Sequence, residues 1–107
     1  MNEVTYVEAS RSLAEGMIQN GGNTLTEQIA YGFQKVTSRQ PSPAEVATLT
    51  KGHNRRLKRY ASDLPSANEL IQLGESKPDP AIDPVQLAAT TTTASILLNL
   101  DETITKE

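Results

Sequence analysis

The chain has 107 residues, a formal charge of -3, no cysteine, no tryptophan and one phenylalanine. That length makes a single domain with room for one modest core, and aromatic residues at 4% leave the core to Leu, Ile, Val, Ala and Met. Without cysteine there can be no disulfide, thiolate-held zinc, iron–sulfur cluster or covalently attached c-type haem, and the mild negative charge marks neither a nucleic-acid nor a membrane partner.

The opening segment "MNEVTYVEAS" lacks the basic and apolar regions of a signal peptide, and no apolar run approaches the ~20 residues of a membrane span. A first helix is predicted near residues 3–20, with Tyr6, Ala9, Leu13 and Met17 on one face and Val7, Ala14 and Ile18 adjoining. Gly21 and Gly22 end it. The second, near 24–38, begins at the capping phrase "TLTE", in which Thr24 is the N-cap and Glu27 reaches back, and carries Leu25, Ile29, Phe33 and Val36. The third, near 43–62, opens on "SPAE", with Ser42 as N-cap, Pro43 in the first turn and Glu45 closing the box. Its apolar line runs Val46, Leu49, His53, Leu57, Tyr60. A short fourth helix near 66–73 starts at "SANE", capped by Ser66. The proline-rich "GESKPDPAIDP" must be an extended loop. The last helix, near 84–102, opens on "DPVQ", with Asp83 as N-cap, Pro84 in the first turn and Gln86 expected to reach back to the cap. It carries four consecutive threonines, Thr90–Thr93, and then turns apolar on several sides at Ile96, Leu97, Leu98 and Leu100.

A helix apolar nearly all round is one that neighbours surround. Buried threonines can bond the carbonyl a turn back and still allow close packing. The pattern therefore predicts an all-α fold, a small orthogonal or up-down bundle of four to five helices, with the last helix central and residues 1–107 forming one domain.

One charge cluster stands out, "KGHNRRLKRY". Lys51, Arg55, and Lys58 or Arg59 share a helical face with Arg56 beside them. Such a stripe can bind nucleic acid or an acidic polysaccharide. It can equally be a solvated face paired with acids elsewhere in the bundle, and an acidic domain with Tyr60 as the cluster's one aromatic favours this second account over a nucleic-acid partner. His53 could serve as general base or metal ligand, but its place between Leu49 and Leu57 points to a partly buried, hydrogen-bonded structural residue. Glu8, Glu15 and Glu27 read as surface residues. Asp101 and Glu102 end an apolar helix where the macrodipole disfavours carboxylates, so an arginine such as Arg11, Arg39 or Arg55 is expected beside them. No phosphate loop, nucleophile elbow or metal-binding repeat is present, so no catalytic, cofactor or metal residue is assigned.

Three stretches, "NEVTYVEASRSLAE", "SRQPSPAE" and "GES…LAATTTTASILLNLDETITKE", together resemble the carboxyl-terminal end of a planctomycete-specific domain of unknown function. That domain follows a planctomycete cytochrome c domain in large exported proteins. The phrases that carry the resemblance are Asn2 to Ala9 with Glu8, then Arg39, Pro41 and Glu45, then Asn99, Leu100, Asp101 and Glu102. The resemblance implies a terminal piece of a large exported protein, with Met1 lying inside the longer chain and Glu107 at or near its natural end. It supplies no catalytic residue and no cofactor, because the haem belongs to a separate domain.

The expected function is a non-catalytic helical module that packs against its own parent chain or a protein partner, through a surface on the first helix that includes Tyr6 and Val7. The alternatives are anion binding through residues 51–59, and a wall contributed to an active site, with His53 set near Asp101 or Glu102.

Overall fold

The computed structural model describes residues 3–105, with side chains described for 4–100. Five helices follow in order: α1 (Glu3–Asn20), α2 (Leu25–Thr37), α3 (Pro43–Ala61), α4 (Leu64–Ile71) and α5 (Pro84–Thr105). No strand occurs among the described residues. The fold is a small all-α bundle, and α5 contacts each of the other four helices, most extensively α1.

Local chemistry sets the boundaries. Thr24 and Ser42 each accept from the backbone N–H three residues on, while Glu27 and Glu45 accept from the caps' own N–H groups, so both capping boxes are complete. Asp83 caps α5 by accepting from the Gln86 N–H. The expected start of α4 at Ser66 is corrected to Leu64. Asp63 is the cap, accepting from the Ser66 N–H at 3.2 Å, and Pro65 sits in the first turn, where no N–H is needed.

The core is made where α5 meets the rest. Leu87, Ala88, Ala94 and Leu97 are fully buried with Ala14 and Met17 of α1, Phe33 of α2 and Ala67 of α4. Small side chains let α5 be surrounded: three alanines, at 88, 89 and 94, are at 0% exposure. Gly32 plays the same part between α1 and α2, since a Cβ there would meet the Met17 sulfur at 2.6 Å. Thr90 and Thr92 donate to the Gln86 and Ala88 carbonyls, so two hydroxyls of the threonine run are satisfied within the helix. Toward its end α5 emerges. Ile96 and Leu98 are half-buried and Leu100 is exposed.

The exposed apolar surface expected around Tyr6 and Val7 is not found there. Both are half-buried, and the Tyr6 hydroxyl donates to the Ser95 carbonyl at 2.7 Å, which ties α1 to α5. Val4 is the exposed large apolar residue of α1.

Candidate functional site

The polar edge of α1 turns out to be structural. Arg11 is buried, and its guanidinium donates to the carbonyls of Ile71 (2.6 Å), Leu73 (3.1 Å) and Ser76 (3.0 Å), and also to the Ser76 hydroxyl. One turn earlier, Glu8 accepts from the Glu75 and Ser76 N–H groups and from the Ser76 hydroxyl. One turn later, Glu15 accepts from the Asp79 N–H at 2.8 Å, and Gln19 donates to the Asp79 carboxylate. Spacings of three and four residues put all four side chains on one edge, where they grip the loop between α4 and α5. The bonds from Ser76 hold the Glu8 carboxyl below its usual range. Glu8 and Glu15 are therefore not idle surface residues. Arg11, offered above as a partner for the end of α5, bonds the loop.

Arg39 likewise has another partner. Its guanidinium makes two parallel bonds to the Glu45 carboxylate, at 3.0 and 2.9 Å, and lies 4.7 Å from the centre of the Phe33 ring. Pro41 and Ser42 turn the chain between them, so the phrase from Arg39 to Glu45 is a self-contained α2–α3 corner. The Arg39 bonds, followed by those from Ser42, bring the Glu45 pKa down to about 2.

His53 is 2% exposed, with Nδ1 2.9 Å from the Thr93 hydroxyl. Burial, and then the positive charge of Arg56, lower its pKa to about 4. The ring is neutral at physiological pH. The wall expected from His53 with Asp101 or Glu102 rests on terminal side chains outside the described ones; along α5, Thr93, the partner of His53, precedes Asp101 by eight residues, about 12 Å of helix axis. The side chains of Asp101 and Glu102 lie outside the described ones, as does Asn2; Asn99 sits exposed on α5. No group of three His, Asp or Glu residues able to hold a metal occurs among the described residues.

What remains outward-facing is one side of α3. Lys51, Arg55, Lys58 and Arg59 are exposed and Arg56 is half-buried. Among the described residues, no carboxylate lies within 4.0 Å of these five, and Arg39–Glu45 is the ion pair that forms. The expected pairing with acids across the bundle is absent there; the charge of Arg59 adds to the fall in the Asp63 pKa that the Ser66 bonds begin. Burial and the neighbouring charge of Arg55 lower the Arg56 pKa. Two concavities lie along this side. Lys51, Asn54, Arg55 and Lys58 line one of about 290 Å³. A second, of about 620 Å³, runs among Thr26, Pro41, Pro43, Val46 and Ala47, and Lys51 borders it too. The sequence singled out the basic half; the apolar half was missed because Thr26 and Pro41 reach it only through the α2–α3 corner.

Comparison with protein-family models, with curated proteins and with solved structures returns no match for this chain.

Proposed function

We propose that this chain is a non-catalytic helical module that docks onto its own parent chain or a protein partner, and that its working surface is the outer side of α3. The observation that carries this reading is how its reactive side chains are engaged. His53 bonds Thr93, Glu8 and Arg11 hold the α4–α5 loop, and Glu45 bonds Arg39, so none is offered to a substrate. The resemblance described above adds a context: the terminal part of a large exported protein.

A panel of ester, phosphate and glycoside substrates tests the first half of the proposal. No turnover is expected, and turnover lost in His53→Gln or Glu45→Gln would refute it. Saturable binding to a defined macromolecular ligand tests the second half.

The bare cations favour a second reading, a binding module for nucleic acid or acidic polysaccharide. Its signature is affinity for heparin or duplex DNA that falls steeply with salt. No binding to either at low ionic strength eliminates it.

A further inference from the structure

We propose that the outer side of α3 is a two-part docking surface for a polypeptide segment that carries apolar side chains next to a run of Asp or Glu. The inference rests on the docking reading above and names the partner's chemistry. Positions 43, 47, 51 and 55 follow one another up the same side of the helix, so the apolar and basic concavities form one continuous strip joined at Lys51. The basic half extends about 10 Å from Lys51 to Lys58 at the rise of an α-helix.

Each half argues for a polypeptide. The lower half presents Pro41, Pro43, Val46 and Ala47, and apolar side chains complement such a lining. A sulfated sugar chain, hydroxylated and charged along its length, complements such a lining less well than apolar side chains do. The upper half offers cations with no carboxylate nearby among the described residues, the complement of an acidic run. It offers no base-stacking platform either, because Tyr60 lines a separate cleft with Val7, Leu70 and Thr91.

The test is selection of ligands for the whole chain from a random-sequence peptide library. Binding of the enriched peptides is then measured to wild type, to Ala47→Glu and to the triple variant Lys51→Ala/Arg55→Ala/Lys58→Ala. All four positions are exposed, and circular dichroism verifies that both variants fold. Enriched peptides are expected to combine apolar residues with Asp or Glu and to bind each variant about tenfold more weakly, a change of about 1.4 kcal/mol. Peptides lacking either component overturn the inference. Peptides that bind both variants undiminished overturn it too, while leaving a docking module that works through another surface. Heparin or duplex DNA binding as tightly as the best peptide, and indifferent to Ala47→Glu, assigns the strip to polyanions instead. If no peptide is enriched, this inference falls, while the docking reading stands or falls on binding to a macromolecular ligand.

Discussion

Acid should weaken this fold earlier than its carboxylates alone would dictate, because of His53. The ring is buried and neutral in the folded chain, with its pKa lowered from 6.5 to about 4. Above pH 6.5 the ring is neutral in both folded and unfolded chains and costs nothing. Between 6.5 and about 4 the unfolded chain binds a proton that the folded chain refuses, so stability declines as pH falls. A shift of about 2.5 pH units corresponds to about 3 kcal/mol, complete near pH 4. Against a total of about 5 to 15 kcal/mol for a typical domain, that is a large fraction. Urea unfolding followed by circular dichroism at stepped pH values measures it, with His53→Gln as the variant that cannot titrate. Wild type should lose most of this increment before pH 4.5, while the variant stays flat over the same range. The carboxylates of Glu8, Glu45 and Asp63, all with lowered pKa values, add their own losses below about pH 4.5, in both proteins. A wild-type midpoint unchanged between pH 7 and 5, or a ring that titrates near 6.5 by NMR, would sink the reasoning.

Arg11→Ala should lower stability by about 3 kcal/mol, since it strands the carbonyls that the guanidinium binds; Arg39→Ala, which breaks an exposed pair, should cost much less by the same denaturation assay. Gly74 has φ +92°, and a Cβ there would overlap the Glu8 carboxylate. Gly74→Ala should therefore cost about 1 to 3 kcal/mol, and part of the loss should vanish in the background of Glu8→Ala, which a double-mutant cycle reads directly. The basic strip makes the opposite prediction. Lys51→Gln/Arg55→Gln/Lys58→Gln should leave the melting temperature unchanged or raise it slightly, since like charges are removed and no ion pair is broken; a clear drop would mean that the cluster is structural.

Features fixed by neighbours in the chain could be read in advance. The boxes at Thr24 and Ser42 and the cap at Asp83 each lie within three residues of what they bind, and all three occur. The start of α4 was misplaced because two cap signals overlap, Asp63 with Ser66 and Ser66 with Glu69, and the earlier one adds a turn. His53 was legible as a buried residue from its place in the apolar line; Thr93 was not legible as its partner, since that contact spans 40 positions. Arg11 was hidden most completely. Its partners are backbone carbonyls 60 or more residues away, and a carbonyl carries no side-chain signature. The basic cluster was visible as composition, but whether its charges pair depends on which acids the fold brings near.

That allocation has a physical cause. Residues 51–59 hold five of the chain's ten basic residues and none of its thirteen acidic ones, so the remainder carries -8 and might be expected to draw the cluster inward. Six of the acids are already engaged, however, by backbone N–H groups. Glu27, Glu45, Asp63 and Asp83 accept at the starts of α2, α3, α4 and α5, while Glu8 and Glu15 accept from the α4–α5 loop. A helix N-terminus combines unpaired donors with the positive end of the macrodipole, and it meets its acid within one turn of chain. A lysine on another helix must order a long, flexible side chain to compete, for a fraction of a kcal/mol. Local capping thus claims the carboxylates first, and the cations of α3 are left facing outward because the same fold has given their natural partners to its backbone.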